Sequence, residues 1–551
     1  MMNCIIKQIS CMPKVRSSSD MDCREIKHAF AVKGQRFCYQ IAFSSAECID
    51  LGIEVISPLK EHIKLYTVDN AVMDMPVSPL YSDSDFITRS PGVMPDILTP
   101  VNSCDFPLHI VNSARALWID VNIPKDLNSG SYNIDILITE SDMVSGDKQT
   151  KTCSLGIDVI DAELPDAEVI YTQWFHGDCI ADIHHVEIYS EEHWKYIDAY
   201  MKTAADLGIN MLLTPVLSSS LDVAVGVVRP CTQLLDITKS GSKYSFGFEK
   251  LKRWISLCQK NGIEYFEISH LFSQAGLKYS PCIKVIENGK ESLAFGWHVP
   301  AHDSSYKEFL EQMLPKLMTF LENEGVAGKC IFHISDEPAK EHLEAYRYAH
   351  SIVKPLIGNC MIMDAISDVS FYENGFIDCP VTAIDHIDEF LDKKVQHQWA
   401  YNCCVQHVKT SNRFMSMPAY RNRIIGLQMY KYDIKGFLHW GYNFYNSQYS
   451  RYKINPYITT SSDMAFPSGD PFSVYPSADG PLASTRARIF FLALQDIRIC
   501  KLLEKHIGKQ AVIDLIESEA GMEISFTQYP RNSDFLPDIS EKLISELKKY
   551  I

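Results

Sequence analysis

The sequence predicts a multidomain α and β protein in three parts: an N-terminal antiparallel β-sandwich over residues 1–165, a (β/α)8 TIM barrel over 166–507, and a short C-terminal appendage over 508–551. Three observations lead there. The chain of 551 residues is longer than one hydrophobic core normally serves. Its apolar residues recur with a period of two from about residue 30 to residue 165. Beyond Leu164-Pro165 the pattern changes to short apolar runs alternating with amphipathic helices, with about eight strand candidates.

In the first part Phe37, Tyr39, Ile41 and Phe43 alternate with Arg36, Cys38, Gln40 and Ala42, and Leu117, Ile119, Val121 and Ile123 alternate with Trp118, Asp120 and Asn122. Leu155, Ile157 and Val159 continue the pattern. Alternation of this kind marks half-buried strands. Pro124 and the Asn128-Ser129-Gly130 run supply turns before a strand over 132–139, and a sandwich buries many one-faced strands. In the second part the helix after Ser190 places Trp194, Ile197, Met201 and Ala204 on one face and closes at Gly208. Further helices are predicted near 248–260, 306–324 with a kink at Pro315, 342–355 and 420–432, and a closing helix near 539–549. Strands are predicted to begin near Val169, Asn210, Ile263, Cys330, Met361, Val381, Val395 and Gly436. An open doubly wound sheet would carry a glycine-rich phosphate turn after its first strand. Here Trp174-Phe175-His176-Gly177 follows, so nucleotide binding has no support.

Composition narrows the partners. With 46% hydrophobic and 22% charged residues the chain can bury a large core and is neither disordered nor low-complexity. Lys+Arg of 52 against Asp+Glu of 69 leaves a net charge of −17 with no basic cluster, which argues against nucleic acid. The 17 cysteines lack Cys-x-x-Cys or zinc-site spacing and read as reduced thiols, and the adjacent Cys403 and Cys404 read as small apolar residues at a buried strand end. The apolar stretch at Cys4 to Ile6 is broken by Lys7, and no run of about 20 apolar residues follows. A soluble, cytoplasmic protein with no membrane partner is expected; the sequence sets no oligomeric state.

In a parallel barrel, chemistry sits where strands end and the following loops begin. Those positions carry Trp174 and His176; Thr214 and Pro215; His270; Asp336 and Glu337; Asp364; Asp385 and His386; Trp399, Tyr401 and Asn402; and Trp440, Tyr442 and Asn443. Flat aromatic faces beside carboxylates and amides suit a sugar ring, whose C–H faces stack and whose hydroxyls take polar partners. Each position also has a plainer reading: a tryptophan as core, an aspartate as a cap, His176 and His270 as satisfied core histidines. The convergence is what points to carbohydrate.

The strongest local signal is Cys330-Ile331-Phe332-His333-Ile334-Ser335-Asp336-Glu337-Pro338, an apolar strand running into two consecutive carboxylates. Pro338 is expected to hold Glu337 in an extended conformation. Two acids in a partly desolvated pocket raise one pKa and so supply a proton donor and an anion. A loop Asp-Glu capping the helix near Glu341 is the competing reading. Most glycosidases set their carboxylates about 5 Å or about 6.5 to 9.5 Å apart across the scissile bond. Neighbours in sequence span that gap poorly. They suit substrate assistance, in which Glu337 protonates the leaving oxygen and Asp336 orients the substrate's own 2-acetamido group.

Several blocks occur together: Trp174-Phe175-His176, Ser190-Glu191-Glu192-His193-Trp194, 210–215 with Leu221-Asp222, 266–272, Phe295-Gly296-Trp297, 333–338 and 436–443. In that order they resemble the glycoside hydrolase family 123 group over most of the chain. The resemblance implies a β-N-acetylgalactosaminidase that works with retention through an oxazolinium intermediate, without a metal or organic cofactor. It implies Glu337 as general acid/base and Asp336 as the residue that polarises the acetamido nitrogen. Trp399, Tyr401 and Trp440 would form the sugar pocket, with Trp174, His176, Asp222, His270, Trp297 and Asn443 as further substrate-binding positions. Ala275 stands after Gln274 where relatives are expected to carry an aromatic, which would alter an outer subsite.

The expected substrate is an oligosaccharide or glycoconjugate. A non-catalytic sugar-binding protein is one alternative. A glycosidase for sugars without the acetamido group is another, and it would need a separate nucleophile such as Asp364 or Asp385. The long Tyr-, Ser-, Pro- and Gly-rich segment 445–481 is expected to fold over the pocket as a lid or wall, with Asp470 and Asp479 as solvated acids or sugar contacts.

Overall fold

The period-two region forms eight strands, Ile5–Ser10, His28–Lys33, Arg36–Ile56, Ile63–Met73, Gly92–Val101, Leu108–Asn122, Gly130–Asp142 and Lys148–Glu163. The computed structural model describes residues 4–17, 21–79, 82–101, 108–274 and 276–551, so Ala275 lies outside the described residues. The chain divides into two units. The first comprises Met1–Ala167, His407–Lys431 and Leu482–Ile551, and the second Glu168–Gln406 and Tyr432–Pro481.

In the first unit the strands expected as a two-sheet antiparallel sandwich are hydrogen-bonded as one sheet. One pair, His28–Lys33 with Lys148–Glu163, is parallel. The cause is the 21-residue strand Arg36–Ile56, which bonds Ile5–Ser10 and Leu108–Asn122 along much of its length and Gly130–Asp142 at its end. A register irregularity between Ser45 and Cys48 lets it serve both halves. Tyr39, Ile41 and Phe43 face the core as the alternation requires.

Gly130–Asp142 and Lys148–Glu163 are half-buried as the alternation predicts, with Leu155, Ile157 and Val159 inward. One expectation is corrected: Gln40, Trp118 and Asp120, on faces predicted to meet water, are buried as well. The first unit ends its N-terminal stretch at Ala167, two residues from the expected 165, and residues 407–431 and 482–507, expected with the barrel, group with this sheet. Gln40 is covered by the N-terminal segment, donating to the Ser10 and Pro13 carbonyls at 3.3 and 2.9 Å, and the helix Thr485–Ile507 pairs with the sheet. Its Arg486 pairs with Asp96 at 2.9 Å, Arg488 with Asp120 at 3.4 Å, and Asp496 with Arg423 at 2.8 Å, all buried. The helix predicted over 420–432 is split into Ala419–Arg423 and Ile425–Lys431. A Cβ on Gly426 would lie 2.2 Å from the Ala493 carbonyl, so glycine there sets how closely the second piece approaches Thr485–Ile507.

The second unit is a closed barrel of eight parallel strands: Ile170–Gln173, Met211–Thr214, Tyr265–Ile268, Cys330–Phe332, Met361–Ile366, Cys379–Ala383, Trp399–Tyr401 and Gly436–His439. They are bonded in chain order, with Gly436 opposite Ile170 closing the ring. Helices including Glu191–Asp206, Glu249–Lys260, Ser304–Asn323 and Leu343–Val353 lie between them in sequence. Ser190 caps the first of these by accepting the His193 N–H at 3.2 Å. Two hairpins inserted in the second and third strand-to-helix connections, Asp236–Ser240 with Lys243–Gly247 and Ile283–Glu287 with Lys290–Phe295, join as a four-stranded sheet that the periodicity does not announce. Met211, Leu213, Ile331, Met363, Val381, Trp399 and Leu438 are among the residues that fill the barrel. The described cysteines are free, and among the described residues no helix is long and apolar enough to cross a membrane.

Candidate active site

At the carboxyl ends of the barrel strands lies an open recess of about 670 Å³, its mouth included, lined by Trp174, His176, Leu221, Asp222, Gln274, Asp336, Glu337, Ala365, Tyr401, Cys403, Cys404, Leu438, Trp440, Phe444 and Phe466. Asp336 and Glu337 enter it from the loop after Cys330–Phe332. The expected extended conformation is corrected: Glu337 has φ of 43°, in the left-handed region that side chains rarely occupy. Pro338 removes the right-handed helical option for Glu337, and the turn takes the left-handed one instead. Neighbouring side chains thereby reach different surroundings. Asp336 is buried, and its Oδ2 accepts from Gln274 Nε2 at 2.8 Å. Glu337 is exposed, and its Oε1 accepts the Tyr401 hydroxyl at 2.6 Å. Burial, and then the charge of Glu337, push the Asp336 carboxyl well above the usual range.

A buried chain of charges underlies this loop. His333 Nδ1 donates to Asp364 at 2.8 Å and Nε2 to Glu267 at 2.7 Å, with all three side chains sealed from solvent. Burial works against the imidazolium, but the bonds to Asp364 and Glu267 outweigh it and lift the pKa to about 10. Asp364 also accepts the backbone N–H groups of Ile334 and Ser335, each at 3.2 Å, and so fixes the segment leading into Asp336. Glu267 accepts from Thr172 and from the Trp174 indole, both at 2.6 Å, which ties the aromatic floor of the recess to the same ion.

Trp440 and Tyr401 stand in the recess as the sequence suggests. The Trp440 indole donates to Asp470 at 2.9 Å and packs edge-on to Phe444 and Phe466 with centroids 5.1 Å away in each case. Asp470 is therefore a buried anchor rather than a solvated acid, while Asp479 is exposed. Phe466 makes the 445–481 segment part of the wall. Asp222 lines the recess with its Oδ2 held by the Tyr449 N–H at 3.0 Å, and burial lifts its carboxyl to about 6. His176 also lines it, in neutral form. Its Nε2 donates to the Trp440 carbonyl at 3.2 Å and its Nδ1 accepts from Arg229, while burial and then the Arg229 charge lower its pKa to about 3.

Four predicted positions are not among the residues lining the recess. Trp399 sits one layer deeper in the barrel, its ring where a Cβ on Gly436 would lie at 2.3 Å. Residues two apart on a strand share a face but lie about 7 Å apart along it, so Trp399 fills the core while Tyr401 reaches the mouth. His270 is buried behind Trp174 and stacks on His333 at 4.1 Å; burial and the His333 charge keep it neutral. Asn443 is spent on the His176 backbone, accepting its N–H at 2.9 Å and donating to its carbonyl at 3.0 Å. The Trp297 indole donates to the Val227 carbonyl at 2.6 Å. Asp364 and Asp385 do not line the recess either, the latter accepting from Gln406 at 3.0 Å.

Residue-type reasoning missed Gln274, Glu267, His333, Phe444 and Phe466 as parts of the site. Glu267 and His333 lie within apolar strand ends, where a lone polar residue among Val, Ile and Phe is a signal of buried pairing. His270, His333 and Asp364 offer ligand atoms within 4.8 Å of one another. Both nitrogens of His333 already donate to carboxylates, and the two imidazoles are stacked, whereas a metal lies in the plane of each ring it binds. The cluster is built around a proton.

A carboxylate pair among aromatic walls at the mouth of a parallel barrel defines a carbohydrate-processing enzyme. Residues 174–503, more than half of the chain, match the family model described as Glycoside hydrolase 123, catalytic domain. The chain belongs to glycoside hydrolase family 123 and is a glycoside hydrolase. Among solved structures it is similar to a family 123 glycoside hydrolase from Clostridium perfringens, described in an analysis of glycolipid glycan hydrolysis. The two share 17% identity at a TM-score of 0.74, over 100% of this chain and 98% of that one, a likeness of fold. A Parabacteroides merdae β-glucuronidase with glycerol in its active site aligns at 12% identity and a TM-score of 0.32, over 90% of this chain and 52% of that one. Bacteroides uniformis β-glucuronidase 3 aligns at 12% identity and a TM-score of 0.29, over 89% of this chain and 52% of that one. No curated protein matches the chain.

Proposed function

We propose that this glycoside hydrolase removes β-linked N-acetylgalactosamine from glycans with retention, by substrate assistance. Glu337 protonates the departing glycosidic oxygen while the carbonyl oxygen of the substrate's 2-acetamido group attacks the anomeric carbon, forming an oxazolinium ion. Asp336 accepts the acetamido N–H and balances the positive charge that develops on it. Glu337, now a carboxylate, takes a proton from the water that opens the ring, so the configuration is retained. Tyr401 holds Glu337, and Trp174 and Trp440 offer apolar faces to the sugar. The setting proposed is cytoplasmic, where scattered thiols stay reduced.

The observation that carries this reading is the pair of sequence neighbours opening on one recess, Asp336 buried and Glu337 exposed. Adjacent carboxylates cannot easily take opposite sides of a glycosidic bond, and Asp364 and Asp385, the candidates for a separate nucleophile, do not line the recess. The test is hydrolysis of a chromogenic β-N-acetylgalactosaminide and of the matching plain β-galactoside. Parent enzyme is expected to cleave the first and leave the second. Glu337→Gln and Asp336→Asn are each expected to lose more than about 100-fold in kcat. Equal rates on the two substrates, or a fully active Asp336→Asn, would overturn the mechanism.

A further inference from the structure

We propose that Gln274 is a positioning residue that assigns the two oxygens of Asp336 their separate tasks, an inference that rests on the role given to Asp336 above. The geometry is a relay of three groups. The backbone N–H of Asp222 donates to Gln274 Oε1 at 2.9 Å, and Gln274 Nε2 donates to Asp336 Oδ2 at 2.8 Å. A backbone N–H can only donate, so it fixes which end of the amide faces it, and the NH2 end must then face the carboxyl. Asp222 is itself immobilised: its Oδ2 accepts the Tyr449 N–H at 3.0 Å and its carbonyl the Ser450 hydroxyl at 2.7 Å, at a left-handed φ of 46°. The amide therefore cannot turn over without breaking two bonds in a recess wall.

The consequence falls on Asp336. Its Oδ2 is committed as an acceptor, so a proton on this carboxyl must sit on Oδ1, and an N–H from a ligand must come to Oδ1. Among the described residues no protein donor reaches that atom. Gln274 thus leaves one oxygen of a buried carboxyl open for the acetamido group and rules out the rotamer in which the open oxygen would point into the protein. It also favours the charged form that must balance the oxazolinium ion, against burial and the charges of Glu337 and Asp364 and together with that of His333. Asp222, whose carboxyl lines the same recess, is the further acid near the relay, and Tyr401 reaches Glu337 rather than Asp336.

The test compares parent, Gln274→Met, Gln274→Glu and Asp336→Asn on a chromogenic β-N-acetylgalactosaminide across pH, with circular dichroism and thermal melting as checks of folding. Losing a hydrogen bond to a charged group predicts a fall in kcat of about 10- to 100-fold for Gln274→Met. KM is expected to stay within about threefold, since the amide serves the reacting state more than the bound one. The acidic limb of the profile moves to higher pH, because Asp336 loses a donor to its charged form. Gln274→Glu accepts from Asp222 and, while protonated, still donates to Asp336, so it retains activity at acid pH and loses it as pH rises. A merely structural defect would depress activity equally at every pH, and that result overturns the proposal. So does a Gln274→Met enzyme with parental kcat and profile while Asp336→Asn is inactive. If Asp336→Asn is itself active, the mechanism proposed above falls first.

Discussion

Replacing His333 with leucine removes the one cation between two sealed carboxylates, and the cost can be worked from the structure. The imidazolium is held at a pKa of about 10 against an ordinary 6.5. A span of about three and a half pH units, at about 1.36 kcal/mol per unit, sets a ceiling of about 5 kcal/mol. Glu267 keeps its bonds from Thr172 and Trp174, and Asp364 keeps those from Tyr346 and the Ile334 and Ser335 amides, so neither acid is abandoned. Removing one partner of a buried pair costs about 3–5 kcal/mol, and the expected loss lies in that range. The sign with pH is fixed. A pKa raised on folding contributes fully below pH 6.5, and the contribution is lost as pH rises from there through about 10. The gap between parent and variant should therefore be widest near pH 6 and close towards pH 10. Guanidinium unfolding followed by tryptophan fluorescence measures it in the right unit, because every tryptophan but Trp118 lies in the barrel unit. A His333→Leu protein within about 0.5 kcal/mol of the parent at pH 6, or a gap that does not change with pH, would refute the assignment of a buried imidazolium.

Two further outcomes are expected. Asp222→Asn should change kcat by less than about tenfold if Asp222 is only a wall group, whereas a loss of more than about 100-fold would make it a second catalytic carboxylate. Because its carboxyl is lifted to about 6, its charge appears as pH rises through that value, and a step in KM near pH 6 should vanish in the asparagine variant. Trp440→Ala removes an indole packed on Phe444 and Phe466 and bonded to Asp470. Losing one stacking face predicts a KM about 3- to 10-fold higher, and an unchanged KM would remove Trp440 from the sugar site.

Sequence pattern located the barrel well because each strand is a short apolar run bounded by turns. The eight strands begin within a few residues of the expected points, and seven of them begin within two. The site was legible where residue type decides: an Asp-Glu pair after an apolar strand has few homes other than a mouth or a cap. Depth along a strand was not legible. Trp399 and Tyr401 are both aromatic and both point inward, and what separates core from pocket is one layer of barrel packing, which depends on the register with Gly436 and its missing side chain. Partner choice was equally hidden. Nothing local tells that His333 faces Glu267 and Asp364, that Asn443 is consumed by the His176 backbone, or that Arg486 meets Asp96 some 390 residues earlier. Those pairings also explain why Thr485–Ile507, which has the amphipathic pattern of a barrel helix, groups with the sheet unit: its polar residues are matched there.

The backbone at Glu337 connects these observations to the chemistry. Were the two acids in ordinary extended succession, their side chains would point to opposite faces and only one would meet the recess. The left-handed turn at Glu337 brings both to it, at a conformational cost of about 1–3 kcal/mol that the surrounding bonds must hold. What it gains is asymmetry. Burial and then the charge of Glu337 favour the protonated form of Asp336 while the recess is empty, whereas Glu337 is exposed and accepts the Tyr401 hydroxyl. A ligand N–H arriving at Oδ1 would favour the charged form of Asp336, because an acceptor satisfied by two donors is stabilised as the anion. On the mechanism proposed above, binding the acetamido group would itself bring Asp336 to the charged form that balances the oxazolinium ion. On the same mechanism a sugar that lacks the amide would be refused for want of a nucleophile and would also leave Asp336 in its protonated form.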